Sequence, residues 1–218
     1  MNNISVYCLK YAESLMPESM AFAGGDINSS IPIAFSFYLI ITNDKKILVD
    51  VGCNSMPDFK LNNFTSPISV LGQMGLTTSD ITDVIITHAH NDHIGLLKQF
   101  ESSLIHITSE EYEFAKGYMP ENAQLNILKD KYDLSPDITI INWGGHSKGS
   151  SIVEIKTKEK IHVLAGDECY TNANIKQRLC SGICYNKEKS EAFVKKYSDD
   201  KYRVHTCHDI SLKSERII

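Results

Sequence analysis

Seven consecutive residues constrain this chain more than any other feature: Thr87-His88-Ala89-His90-Asn91-Asp92-His93, placed directly after the apolar run Val84-Ile85-Ile86. The apolar run reads as a buried strand. In an extended chain alternate side chains share a face, so His88 and His90 project together from its end. Asp92 and His93 follow where the chain must turn, because Ile94-Gly95-Leu96-Leu97 reads as the start of a helix. Three imidazoles and a carboxylate around one bend are the donors that divalent transition metals prefer. A surface histidine run is the plainer alternative, and the apolar strand ahead of it argues against a solvated tail.

Length and composition narrow the setting. A chain of 218 residues suits one domain over 1–218 and can bury about 70% of its unfolded surface, so the core needs no staples. The net charge of -5 disfavours nucleic acid as a partner, since phosphate binding needs a basic footprint. No apolar run approaches the roughly 20 residues of a membrane span. The six cysteines form no Cys-x-x-Cys pair, and Met1-Asn2-Asn3-Ile4-Ser5 has no secretory pattern. Free thiols in a reducing cytoplasm are the simplest expectation.

Patterning along the chain indicates a layered α/β domain. Residues 4–9 and 34–42 read as strands, and Asn43-Asp44 turns the second into a hairpin with 45–50. Residues 67–75 look helical, Ser79-Asp80 can cap a short turn, and 84–87 is a strand followed by a helix over about 93–100. Residues 104–108 form a strand, and Ser109 is expected to cap a helix over 110–116 that stops at Gly117. Residues 117–136 are expected to be helix or loop. Strands are expected at 138–142, 152–157, 161–164 and 203–206, and Asn186 caps a helix over 187–197 whose mixed charges read as a solvated face.

Three more ligand-type residues occupy matching contexts. His146 lies in the Gly-rich loop Trp143-Gly144-Gly145-His146-Ser147-Lys148-Gly149, Asp167 ends the strand Leu164-Ala165-Gly166-Asp167, and His208 follows Arg203-Val204-His205-Thr206-Cys207. Singly, each could be a loop histidine, a cap or a surface residue. Donors repeatedly placed at strand ends are how rigid elements build a site on one rim.

The chain resembles the metallo-β-lactamase fold superfamily. Its signature His-x-His-x-Asp-His is matched by His88, His90, Asp92 and His93, and its later His, Asp and His by His146, Asp167 and His208. Its early Asp in a Val-Asp-x-Gly context is matched by Asp50 in Leu48-Val49-Asp50-Val51-Gly52. The resemblance implies a four-layer αββα sandwich and a pair of divalent metal ions about 3.5 Å apart. It gives His88, His90 and His146 to one ion, Asp92, His93 and His208 to the other, and Asp167 to both. Zinc is the first expectation, with iron, manganese or cobalt as alternatives. Asp50 would orient a ligating histidine, the alternative being a hairpin-end carboxylate bonded to local backbone.

Two such cations activate water and polarise a carbonyl, so the expected function is dinuclear metal-dependent hydrolysis, through a metal-bridging hydroxide, of a small ester, lactone or thioester. Asp92 could then pass a proton to the leaving group. Within the superfamily the chain is most similar to the N-acyl-homoserine lactone hydrolase group. Ile31-Pro32-Ile33 through Phe37-Tyr38-Leu39-Ile40 precedes the hairpin similarly, Asp167-Glu168-Cys169-Tyr170 resembles that group's Asp-Ala-Ser-Tyr, and Cys207-His208-Asp209-Ile210 resembles Gly-His-Asp-Ile. Tyr170 would match a substrate-contacting tyrosine that donates to the carbonyl oxygen; a packing tyrosine is the alternative. The loop after His146 departs from the group, lacking its second histidine and its proline and having Lys148 and Ser150 instead.

Cys169 lies two positions beyond the place where thiol-ligand β-lactamases carry cysteine, and reads as a small buried residue. Only ten residues follow His208, against the helical C-terminal domain of hydroxyacylglutathione hydrolases. The basic domains of nuclease members are missing. His90 stands where diiron flavoproteins have Glu. Two other readings stay open on this fold: a non-catalytic metal-binding or ligand-sensing module, and a mononuclear iron thiol dioxygenase. The expected partner is a small-molecule substrate; the sequence does not set the oligomeric state.

Overall fold

Runs of β-branched and aromatic residues build two sheets, one in each of two units of the chain. The computed structural model describes residues 4–218, so the part of the leader reading that rests on Met1-Asn2-Asn3 lies outside the described residues. In chain order the elements are β1 (Ser5–Pro17), α1 (Glu18–Ala21), β2 (Ser30–Ile41), β3 (Lys46–Val49), α2 (Pro67–Gln73), β4 (Asp83–Ile85), α3 (Asn91–Ile94), β5 (Leu104–Thr108), α4 (Ser109–Ala115) and β6 (Gln124–Leu128). There follow β7 (Lys131–Ser135), β8 (Ile138–Asn142), β9 (Ser151–Lys156), β10 (Ile161–Leu164), α5 (Asn172–Gln177), α6 (Lys187–Tyr197), β11 (Tyr202–His205) and β12 (Glu215–Arg216). No helix among the described residues is long and apolar enough to cross a membrane. All six cysteines are free.

The first unit comprises Met1–Ser14, Ala34–Ile127 and Ser211–Ile218. It carries the seven-stranded sheet, ordered β12-β1-β2-β3-β4-β5-β6. The β2–β3 hairpin is antiparallel, with Tyr38 opposite Val49, as the Asn43-Asp44 turn led us to expect. β3, β4 and β5 are parallel neighbours, with Val49 opposite Ile85 and Ile85 opposite His106. Parallel strands deliver their C-terminal ends to one edge, where α/β sheets place their ligands. Asp50 and Thr87-His88 leave β3 and β4 at that edge.

The other end of β4 is built for stability. Asp83 accepts from Lys45 Nζ at 2.8 and 2.9 Å and from His106 Nε2 at 2.9 Å, and Asn126 Nδ2 lies 3.0 Å from His106 Nδ1. Burial pushes the Asp83 carboxyl up, but the bonds from His106 and Lys45 outweigh it and hold it down at about 2. A carboxyl depressed on folding stabilises the native state above its unfolded pKa of roughly 3.9, and that stabilisation is lost as pH falls through the folded value. For Asp83 it amounts to about 2 kcal/mol. Denaturant melts between about pH 5 and pH 2 should show the native protein losing this increment. Asp83→Asn should lack it throughout, so parallel stability curves for the two proteins would retire the network's role.

The second unit comprises Leu15–Ile33 and Leu128–Ile210. Its five-stranded sheet runs β11-β10-β9-β8-β7. Ile152, Val163, Ala165, Cys169, Phe193 and Tyr197 form its buried core, with Trp143 and Val204 packed against them, so the apolar face of α6 covers the sheet. Asn186 caps α6 by accepting from Lys189 N at 3.0 Å, as expected. β10 and β11 are parallel, with Leu164 opposite His205, and their exits lead to Asp167 and His208.

Several expectations need correcting. The helix over 93–100 is broken into α3 and a 3-10 turn, Leu97–Gln99. Gly95 sits so close to Cys53 that a Cβ there would lie 2.6 Å from Cys53 Cβ, so the segment is shaped by tertiary contact rather than helical periodicity. Thr108, not Ser109, caps α4, its hydroxyl accepting from Glu111 N at 3.4 Å, and the helix passes into a 3-10 turn over Lys116–Tyr118 rather than stopping at Gly117. Residues 117–136 contain strands β6 and β7 instead of helix or loop. β1 also continues to Pro17, well past its expected end.

Candidate metal centre

The first unit gathers one donor group. Asp50 adopts a left-handed backbone, φ 64°, which aspartate tolerates better than most residues. This turns its buried carboxylate onto the next loop, where it accepts from Thr87 N at 2.8 Å, Thr87 Oγ1 at 2.8 Å and His93 Nδ1 at 2.7 Å. The carboxylate therefore reaches a neighbouring strand exit rather than local backbone. A proton held on Nδ1 leaves the His93 lone pair on Nε2, which lies 3.4 Å from Asp92 Oδ2. His88 Nδ1 lies 3.1 Å from Thr87 Oγ1, and its Nε2 lies 2.9 Å from His90 Nδ1. Glu111 Oε2, on buried Glu111, accepts from Ala89 N at 2.8 Å. Tyr11 Oη donates to the Asp92 carbonyl at 3.3 Å. His88 and His93 are buried, and His90 is exposed.

The second unit gathers another. The pairing of β10 with β11, continued by Ala165 N donating to His205 O at 3.0 Å, sets the two exits side by side. Asp167 lies in a 3-10 turn, Gly166–Glu168, and its Oδ1 is 3.1 Å from His208 Nε2 while its Oδ2 is 3.6 Å from His146 Nε2. His146 Nδ1 donates to the Ile183 carbonyl at 3.2 Å, so the Nε2 lone pair faces Asp167. Cys207 Sγ donates to Asp167 Oδ1 at 3.2 Å. The ligand atoms of Asp167, Cys207 and His208 all lie within 4.8 Å of one another. Tyr170 is buried, its ring edge-on to His146 at 5.8 Å and tilted against His208 at 5.4 Å, and its carbonyl accepts from His208 N at 3.2 Å.

Both groups fit divalent cations. His93 and His146 each have one ring nitrogen tied to an acceptor outside the donor set and the other turned toward a carboxylate, which is how ligating histidines are held. Cys169 is fully buried, donates to the Thr171 carbonyl at 3.3 Å, and has its thiol pushed up by burial, as a packing residue should. Two residues at these loops drew no role from the sequence. Cys207 stands where the lactone hydrolases have Gly, and Glu168 where they have Ala; those departures were the only signal available. Burial pushes the Glu168 carboxyl up to about 7, against the hydrogen bonds that it accepts.

Residues 35–156 match the metallo-beta-lactamase superfamily. The chain belongs to the metallo-β-lactamase superfamily. The matched segment holds Asp50, His88, His90, Asp92, His93 and His146, while Asp167, Tyr170 and His208 lie beyond it. Among curated relatives, the N-acyl homoserine lactonase AiiB of Agrobacterium fabrum is 27% identical over 184 residues, covering 66% of each chain. The N-acyl homoserine lactonase AiiA of Bacillus thuringiensis subsp. kurstaki is 27% identical over 169 residues, 65% of this chain and 66% of that one. The chain thus spans slightly under two thirds of the length of these relatives.

Solved structures show the same fold. An N-acyl homoserine lactone hydrolase with the product N-hexanoyl-L-homoserine bound at its catalytic metal centre superposes with a TM-score of 0.83 at 20% identity, over 98% of both chains. AidC, a dizinc quorum-quenching lactonase, superposes with a TM-score of 0.75 at 18% identity, over 96% of this chain and 88% of that one. The metallo-β-lactamase fold anticipated from the ligand pattern is therefore the fold found.

Proposed function

We propose that this metallo-β-lactamase superfamily member is a metal-dependent hydrolase that opens a small lactone, with N-acyl homoserine lactones as the first substrates to test. The reading rests on the two donor groups, in which carboxylates and histidine ring nitrogens converge at the ends of parallel strands. It assigns His88, His90, Asp92 and His93 from the first group, and His146, Asp167 and His208 from the second, as ligands of two divalent ions, zinc foremost. The relatives that are N-acyl homoserine lactonases support the reaction class, and AidC is a dizinc lactonase.

When bound, two such ions supply an activated water and polarise the substrate carbonyl. The protein does the rest. Asp50 keeps the proton of His93 on Nδ1, and Ile183 does the same for His146. Asp92 takes up the proton released by the attacking water and passes it to the alkoxide that leaves when the lactone ring opens. The Tyr170 hydroxyl donates to the carbonyl oxygen as negative charge gathers there.

Metal content per chain and lactone hydrolysis should be measured on one preparation. About two zinc ions and ring opening are expected. One iron per chain, or two metals with a lactone panel untouched, would overturn the reading. Tyr170→Phe should lower kcat by about 100-fold or more, the usual effect of losing one donor to a developing oxyanion. Zinc content should stay unchanged, and an unaltered kcat would remove Tyr170 from the mechanism.

A further inference from the structure

We infer that Glu168 is a positioning residue that fixes the metal-ligand loop of His146, in partnership with Ser150; this rests on the metal-dependent reading above. Glu168 Oε1 accepts from two consecutive backbone donors, Gly145 N at 2.9 Å and His146 N at 3.0 Å, and from the Ser150 hydroxyl. Ser150 Oγ in turn accepts from Ser147 N at 3.1 Å, closing the loop on itself. The far side of the loop is tied as well. Tyr185 N donates to the His146 carbonyl at 2.9 Å, Asn186 N donates to the Gly145 carbonyl at 2.9 Å, and the His146 ring donates to Ile183. His146 is thus held at its N–H, its C=O and its Nδ1, and its Nε2 is the atom left to face Asp167.

Glu168 stands where the lactone hydrolase pattern has Ala, and Ser150 lies in the loop that departs from that pattern after His146. An alanine side chain accepts nothing, so the loop cannot be held this way in a chain that follows the pattern. These two departures, far apart in the chain, meet in one hydrogen bond. The contact is close: a Cβ at Gly145 would crowd Glu168 Oε2 and lie 3.0 Å from Ser190 Oγ, so the carboxylate would have to shift. Among the described residues neither Glu168 Oε2 nor Ser190 Oγ has a hydrogen-bond partner. The carboxylate is buried for what Oε1 holds rather than for an ion pair.

Zinc affinity and stoichiometry, measured on the full chain by competition with a chromophoric chelator, test the role. Glu168→Asp keeps the charge but shortens the reach, whereas Glu168→Gln keeps the reach and a carbonyl oxygen that can accept in place of Oε1. Positioning predicts that Glu168→Asp weakens one of the two zinc ions by about 10–100-fold, the usual effect of losing an outer partner of a metal ligand. Glu168→Gln should stay within about threefold of the native protein, and Ser150→Ala should weaken the same ion as Glu168→Asp. If both Glu168 variants keep native zinc affinity while their melting temperatures fall, Glu168 is a stability residue only. If Glu168→Gln loses affinity and Glu168→Asp keeps it, charge rather than position matters, and the inference is equally overturned. A native protein that binds no zinc takes down the metal reading itself, an outcome distinct from either.

Discussion

Asp167→Asn should yield a folded protein that retains at most one zinc ion and opens no lactone above background. Both oxygens of this carboxylate are committed: Oδ1 faces His208 Nε2 at 3.1 Å and Cys207 Sγ at 3.2 Å, and Oδ2 faces His146 Nε2 at 3.6 Å. Asparagine preserves the volume, so the packing of the turn over Gly166–Glu168 survives. It removes the anionic charge, and it turns an amide donor toward one of the groups that the carboxylate had faced. The loss should exceed the roughly 100-fold upper range seen when an outer partner of a ligand is removed, because the substituted group is itself a proposed ligand. Elemental analysis and a continuous ring-opening assay check the two parts separately. A variant with two zinc ions and turnover within about tenfold of native would return Asp167 to the role of a capping residue.

Asp50→Asn should act through a proton rather than a contact. Asn tolerates the left-handed backbone at φ 64°, and its carbonyl oxygen can still accept from Thr87. Its amide nitrogen, however, would set a donor against His93 Nδ1, now 2.7 Å from a carboxylate oxygen. The imidazole relieves this by moving its proton to Nε2, which blocks the nitrogen that would bind metal. Zinc affinity at one site should fall by about 10–100-fold with a modest change in melting temperature. Asp50→Ala should lose the same affinity and also fold poorly. It leaves His93 and Thr87 buried without their acceptor, a cost of about 1–3 kcal/mol per group, and sets Ala at positive φ. Histidine ¹⁵N chemical shifts report the tautomer directly. A His93 ring still protonated on Nδ1 in Asp50→Asn would refute the mechanism.

The donors could be read from the sequence because their chemistry is local or their context repeats. His88, His90, Asp92 and His93 lie within six residues, Asp167 follows the apolar run ending at Ala165, and His208 follows the strand read from Arg203. Strands over 104–108, 138–142 and 161–164 and the helix capped by Asn186 were equally legible, since β-branched runs and a capping side chain are local signals. The hidden parts depend on distant contact. β7 is an edge strand whose residues Lys131, Tyr132 and Asp133 are all exposed, so no alternation of apolar and polar residues marks it. The helix over 93–100 breaks where Gly95 meets Cys53, a contact between segments that sequence periodicity cannot show. Glu168 and Cys207 gain their meaning only once the His146 loop and the exits of β10 and β11 surround them.

The unequal spacing of the two donor groups has a kinetic consequence. The histidines from His88 to His93 sit within one short stretch, so even an unfolded chain carries them as a ready chelator. Asp167 and His208 come together only when β10 and β11 pair in parallel across α5 and α6, a non-local closure that forms slowly. Cations supplied early therefore occupy half a coordination sphere on a disordered chain and stabilise it. On the proposed metal reading, cations supplied late should meet folded donor groups and stabilise the native state, so the order of addition should decide whether zinc assists refolding or stalls it.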